Sequence, residues 1–249
     1  MIYENERIDE VNDRLSLIQK TDGLTFGTDA LLLAGYVEGK YKKSAELGGG
    51  GGIISMLLLA RDKTEFCEAY EVQAEYADLI ERNAKLNKLN NRLKSVHIDI
   101  RELKSAESFE LVFTNPPYMK ADSGKQNAND RKSFARHEHH GDIEDFCIAA
   151  NKLLKFGGSF YAVYRPDRLV DIIYSMRKNK LEPKRITFVH ADEESEPSMM
   201  LIEAKRGGRC GVRITEPFFI YKDKEHKLYT DDMQFIMENG AFPKKYSKR

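Results

Sequence analysis

The sequence predicts an α/β protein with a seven-stranded, mostly parallel sheet, an antiparallel seventh strand and helices on both faces. Three observations predict it. A short strand, Lys43-Ser-Ala-Glu-Leu47, runs into five successive glycines, Gly48 to Gly52, and then into the apolar helix Ile53 to Ala60. Strand, glycine loop and helix open a nucleotide-binding βαβ unit. Strands and amphipathic helices then alternate, the pattern of a sheet with helices on its faces. Finally, only Ala191 to Pro197 separate the sixth strand, Arg185 to His190, from the seventh, Ser198 to Ala204. A parallel crossover needs about a dozen residues, so the seventh strand must return antiparallel.

The elements follow in order. Residues 1–23 are charged, with a weak helical spacing of Ile8, Val11, Leu15 and Ile18. Gly27 breaks the chain, Thr28 or Asp29 can cap, and the run from Ala30 starts a helix. The N-terminus of that helix, with Thr28 and Asp29, is either a plain cap or a cover over a bound ligand. After the glycine loop, strand Glu65 to Val72 ends in an acid, Glu71, nineteen positions past Gly52. A ribose-binding carboxylate is expected about 20 positions on. The third strand, Ser95 to Ile100, also ends in an acid, Asp99. The fourth, Leu111-Val-Phe113, stops at Asn115-Pro-Pro-Tyr118, because proline donates no ladder hydrogen bond and restricts the residue before it. The helix Asp142 to Phe156 ends at Gly157-Gly158, strand Ser159 to Tyr164 follows, and Pro166 opens another helix through Met176.

Size and composition set outer limits. The 249 residues, 41% hydrophobic and 32% charged, suffice for one large core. No apolar run approaches the roughly 18 residues of a membrane span. The N-terminus lacks a signal peptide's order of basic then apolar residues, so a cytoplasmic protein without a membrane partner is expected. Cys67, Cys147 and Cys210 are odd in number and unpaired in spacing, which argues against disulfides and zinc fingers. His137, His139 and His140 lack a spaced cysteine or carboxylate set to complete a metal site, so no metal is expected. Forty basic residues balance forty acidic ones, leaving local patches to decide nucleic-acid binding. The segment with Lys120, Lys125, Arg131, Lys132 and Arg136 is one such patch.

The glycine loop does not fit the dinucleotide fingerprint G-x-G-x-x-G, whose last position falls on Ile53 or Ile54. It fits acidic-x-G-x-G-x-G, read as Glu46, Gly48, Gly50 and Gly52. Together with Glu71, Asp99 and Asn115-Pro-Pro-Tyr118 in this order, the chain resembles a class I S-adenosylmethionine-dependent methyltransferase with a Rossmann-like fold. Phe26-Gly-Thr-Asp-Ala30 and Ala135-Arg-His-Glu138 are similar to one group, the bacterial tRNA adenine-N6 methyltransferases of the valine-tRNA, position-37 type and their relatives. The departures are Glu46 where aspartate is common, and Gly49 and Gly51 where Thr, Asn or Ser is usual.

The resemblance implies a division into residues 1–40, a helical extension closing over the cofactor, residues 41–206, the catalytic domain, and residues 207–249, a C-terminal extension packed on it. It implies S-adenosylmethionine held by Thr28, Asp29, Glu46, Gly48, Gly50, Gly52, Glu71, Val72, Asp99, Ile100 and Asn115. A flipped adenine would be held by Asn115, Pro116, Pro117 and Tyr118, and tRNA by Lys120, Arg136 and His137. Competing readings are protein glutamine N5-methylation, adenine methylation in rRNA or DNA, and a non-catalytic module that presents RNA. The glutamine enzymes carry a separate N-terminal recognition domain, for which about forty residues before the loop leave little room. An intact Asn-Pro-Pro-Tyr tip argues against the non-catalytic module.

Overall fold

Nine chain segments assemble into one sheet whose central strands are buried on both faces. The computed structural model describes residues 2–21, 27–116 and 141–247. Its central strands are β3 (Tyr41–Leu47), β4 (Thr64–Glu71), β5 (Leu93–His97), β6 (Phe109–Thr114) and β7 (Leu154–Tyr164). The order across them is β7-β6-β3-β4-β5, all parallel. Chain order therefore reverses between β3 and β6. That is the switch point where open α/β sheets bind ligands at the carboxyl ends of their strands.

β6 explains why an uninterrupted apolar run is a strand here. Leu111, Val112 and Phe113 are all fully buried, because both faces of a parallel sheet are covered. Alternation sends Leu111 and Phe113 to one core and Val112 to the other. On the first face lie α1 (Thr28–Tyr36), α2 (Ile53–Ala60) and α3 (Ala74–Leu86); on the second lie α4 (Ile143–Leu153) and α5 (Leu169–Lys178).

The seventh strand of the sequence reading is β9 (Pro197–Arg206), which inserts between β7 and β8 (Leu181–His190) and runs antiparallel to both. Two short strands, β10 (Arg213–Ile214) and β11 (Phe218–Phe219), add parallel to β8, so the sheet has nine strands rather than seven. The last helix, α6 (Asp231–Asn239), and Phe242 and Tyr246 contribute to the first core. Buried Arg185 on β8 pins this segment. It donates to the Tyr246 carbonyl (2.7 Å) and the Tyr36 carbonyl (2.8 Å), and pairs with Glu38 and Glu203.

Three local expectations are corrected. Residues before α1 form an antiparallel hairpin, β1 (Glu6–Asn12) and β2 (Leu15–Lys20), not a helix. The turn closes because Asn12 Oδ1 accepts from the amides of Arg14 and Leu15. Leu15 and Leu17 are buried in the first core, a period of two that outweighs the looser helical spacing. The outer edge of β2 is satisfied by side chains of α3. Asn83 bonds both the amide and the carbonyl of Ile18, and Asn87 bonds both those of Ser16. Residues i and i+4 on a helix rise about 6 Å, and i and i+2 on a strand about 6.8 Å, so the two amides stand in for a strand.

Gly157 and Gly158 do not end a helix. α4 stops at Leu153, and the glycines lie inside β7, where register jumps from Phe109↔Leu154 to Leu111↔Ser159. A Cβ at Gly158 would sit 2.9 Å from the Lys155 carbonyl, so this bulge admits only glycine. The third strand ends earlier than expected, at His97. Asp99 instead caps a 3-10 turn, Ile100–Glu102, by accepting from the Arg101 amide.

Candidate active site

The carboxyl ends of β3, β4, β5 and β6 lie side by side and carry the described candidate residues other than Thr28 and Asp29, which lie on α1. At the end of β3 the chain turns sharply, the amides of Gly48 and Gly49 both donating to the Tyr70 carbonyl (2.9 and 3.0 Å). The motif glycines Gly48, Gly50 and Gly52 have φ of +73°, +52° and +80°, which L side chains rarely adopt. The five glycines do not serve one purpose. At Gly49 a Cβ would lie 2.9 Å from Ile80 Cδ1 and 3.3 Å from Ala69 Cβ, so α3 packs directly beneath the turn. Gly49 is therefore glycine for packing. At Gly50 a Cβ would meet nothing within 4 Å. This is the part of the turn whose backbone is bare on its outer side.

Glu71 joins the turn to the end of β4. Its Oε2 accepts from the Gly50 amide (2.9 Å) and its Oε1 from the Gln73 amide (2.9 Å), and the residue is 5% exposed. A carboxylate offers about four lone-pair sites, so these two bonds orient the group without exhausting it. The Val72 carbonyl lies 3.0 Å from His97 Nε2. At the end of β5, Asp99 accepts from both the backbone and the guanidinium of Arg101 and holds that guanidinium above its ordinary pKa. Ile100 is buried beside it.

Glu46, the acid of the motif, is buried beneath the turn. It is 1% exposed, and its Oε2 accepts from the amide (3.3 Å) and hydroxyl of Ser55 in the first turn of α2. Burial pushes its carboxyl up to about 8, against the pull of the Ser55 bonds. Its group anchors α2 under the turn rather than lining the bare side.

β6 brings the tip to this turn. Leu47 pairs with Thr114 across β3 and β6, and the buried Thr114 hydroxyl donates to the Leu47 carbonyl at 2.8 Å. Asn115 is thus held at the strand end next to Gly48. Its Nδ2 donates to Asp29 Oδ2 at 2.7 Å, across 86 residues of sequence. Asp29 and Thr28 form the first turn of α1, so the structure joins α1 directly to the tip. Beside buried Pro116 opens a cleft of about 310 Å³, bounded by Asp142, Phe146, Tyr164, Arg168 and Tyr174. The Asp142–Asp145 capping box fixes the α4 side of that cleft. Pro117, Tyr118, Lys120, Arg136 and His137, and the histidines at 139 and 140, lie outside the described residues. Among the described residues no cluster of His, Cys, Asp or Glu could hold a metal, and no helix is long and apolar enough to cross a membrane.

Sequence reasoning missed Asn83, whose Nδ2 also donates to the Gly51 carbonyl (3.0 Å). One side chain therefore ties β2, α3 and the glycine turn together. Its signal is a pair of asparagines at i and i+4, Asn83 and Asn87, on the helix face that also presents Ile80 and Ala84.

Comparison with known proteins bears on the family and the fold. The sequence model of the methyltransferase small domain matches residues 20–171. Two relatives bear the name tRNA1(Val) (adenine(37)-N6)-methyltransferase. One, from Flavobacteriaceae bacterium (strain 3519-10), is 20% identical over 92% of this chain and 95% of its own. The other, from Pedobacter heparinus, is 24% identical over 87% of this chain and 90% of its own. Among solved structures, a predicted O-methyltransferase from Agrobacterium tumefaciens superposes with a TM-score of 0.70 at 23% identity, covering 86% of this chain and 98% of that one. Geranyl diphosphate C-methyltransferase from Streptomyces coelicolor A3(2), solved with S-adenosyl-L-homocysteine, gives a TM-score of 0.54 at 13% identity over 72% and 78% of the two chains. With its Rossmann-like, mostly parallel sheet and a family match across more than half its length, the chain belongs to the methyltransferase small domain family and is a methyltransferase.

Proposed function

We propose that this protein transfers a methyl group from S-adenosylmethionine to N6 of an adenine in tRNA, with adenine 37 of a valine tRNA as the target. The observation that carries the reading is the Leu47↔Thr114 pairing, which sets the Asn115-Pro116 tip beside the glycine turn at the switch point. The names of the relatives supply the nucleic acid and the position.

The residues present fit the cofactor. The outer side of the turn is open at Gly50, and the turn leads into the N-terminus of α2, which favours a carboxylate. Glu71 is oriented by two amides and would accept from the ribose hydroxyls. Asp99 would accept from the cofactor's adenine amine, between Val72 and Ile100. When bound, S-adenosylmethionine supplies a methyl group on a cationic sulfonium, electrophilic enough that no strong base is needed.

The tip handles the other reactant. Asn115 Oδ1 and the Pro116 carbonyl would accept the two hydrogens of the target amine, leaving its lone pair directed away from the ring plane. Pro117, with its restricted φ, would keep the tip extended, Tyr118 would stack on the base, and Lys120, Arg136 and His137 would meet the RNA. Positioning and oriented dipoles then account for most of the rate.

The test is to digest tRNA from cells with and without the protein and measure N6-methyladenosine by mass spectrometry. Wild type restores the modification. Asn115→Ala binds the cofactor but loses about 10²–10³ in transfer rate, the typical loss for one oriented group. Unchanged tRNA together with a lost methylglutamine signal would move the assignment to a protein substrate.

A further inference from the structure

We propose that Asp29 is a positioning residue that decides which end of the Asn115 amide meets the substrate; the inference rests on the reading that Asn115 receives the target amine. A primary amide has an accepting oxygen and a donating NH₂ of nearly the same shape. The terminal torsion of asparagine is broad and close to two-fold, so a half-turn exchanges the ends at little cost. The Leu47↔Thr114 ladder fixes the strand end and leaves this side-chain torsion free. Only one choice serves a substrate that presents N–H donors.

Asp29 favours one of the two ends. An ionised carboxylate only accepts hydrogen bonds, so it can hold the NH₂ end and no other, as its Oδ2 does at 2.7 Å. The oxygen end of Asn115 is thereby turned to the opposite side. A hydrogen bond to a charged group biases such an equilibrium by about tenfold to a hundredfold.

Asp29 is itself well placed for this. Its Oδ1 accepts from the Ala30 amide at 2.9 Å, in the first turn of a helix, where negative charge is favoured. A Cβ at Gly27 would lie 2.6 Å from Oδ1, so the residue before the helix leaves room for the carboxylate. Behind it, Leu32 and Leu33 of α1 are fully buried, which anchors the helix to the core. The role differs from a cover over the cofactor: Asp29 acts through Asn115.

The test exchanges the two groups. Asp29→Asn removes the acceptor-only partner, and methyl transfer to tRNA falls about tenfold to a hundredfold while cofactor affinity and melting temperature stay close to wild type. Asn115→Asp faces one carboxylate with another; transfer falls at neutral pH and recovers in part as pH is lowered and one of them protonates. The double variant Asp29→Asn/Asn115→Asp restores a donor at position 29 and an acceptor-only group at 115, which can still receive the substrate amine. It recovers most of the activity lost in the worse single variant, with a pH profile like the wild type. A purely structural role would make the double variant as poor as the worse single one, and that outcome overturns the inference. The ¹⁵N side-chain signals of Asn115 provide a readout that needs no substrate: they must shift in Asp29→Asn, and unchanged signals also overturn it. A wild type that transfers no methyl group to tRNA sinks the functional reading; an active wild type with a dead double variant sinks the inference alone.

Discussion

Replacing Glu46 by glutamine tests whether the motif acid is a cofactor ligand or a buried anchor. The carboxyl is 1% exposed and its pKa is raised by burial to about 8 from an ordinary 4.5. For a group whose folded pKa is raised, the contribution to stability is fully present below the unfolded pKa and is lost as pH rises through the folded one. The window is therefore pH 4.5 to 8. Within it each pH unit removes about 1.4 kcal/mol, so from pH 5.5 to 7.5 the wild type loses about 3 kcal/mol through this group. Glutamine keeps the shape of the neutral acid and does not titrate. The stability difference between Glu46→Gln and wild type should then move by about 3 kcal/mol in favour of the variant over those two units. In a domain of this size that is about 6–12 °C in melting temperature. Thermal unfolding of both proteins in matched buffers measures it, because other titrating groups cancel in the difference. Cofactor affinity should change less than about threefold, well under the loss of one hydrogen bond to a charged group. Parallel stability curves across the window would refute the buried, neutral carboxyl. A large loss of cofactor affinity at unchanged stability would make Glu46 a cofactor ligand instead.

Two further substitutions probe how the turn is held. Asn83→Ala strands the amide and carbonyl of Ile18 and the carbonyl of Gly51; unsatisfied buried groups of this kind cost about 1–3 kcal/mol each. Urea unfolding should therefore show a loss of at least 3 kcal/mol, and a loss below 1 kcal/mol would mean that the hairpin is not held as described. Glu71→Gln leaves one of the amides of Gly50 and Gln73 facing an NH₂, so calorimetry should show S-adenosylmethionine binding weakened about tenfold or more. Unaltered binding would remove Glu71 from the site.

The sheet was legible because its strands are buried on both faces and end abruptly. β6 reads as Leu-Val-Phe closed by prolines, β3 as a strand closed by glycines, and β4 as a strand closed by an acid. The antiparallel β9 followed from chain length alone, since seven residues cannot carry a crossover. Illegible features share a different cause: each depends on a partner remote in sequence. β2 is a strand because Asn83 and Asn87 complete its edge, and nothing between residues 15 and 20 announces them. Gly49 is glycine because Ile80 lies against it, a packing reason that a run of five glycines conceals. Gly157-Gly158 has the composition of a helix stop, and only the register against β6 shows a bulge.

The placement of the N-terminal segment gives those remote contacts a common sense. The glycine turn and the Asn115 tip belong to adjacent strands, yet each is also gripped from residues that precede the sheet. Ile18 on β2 shares Asn83 with the Gly51 carbonyl, and Asp29 on α1 holds the Asn115 amide. Strand pairing alone would fix where the two backbones lie, through Leu47↔Thr114. It would not fix the face that the turn presents or the end of the amide that points outward, because both depend on torsions that a ladder leaves free. β2 and the first turn of α1 therefore grip the turn and the tip from outside the sheet.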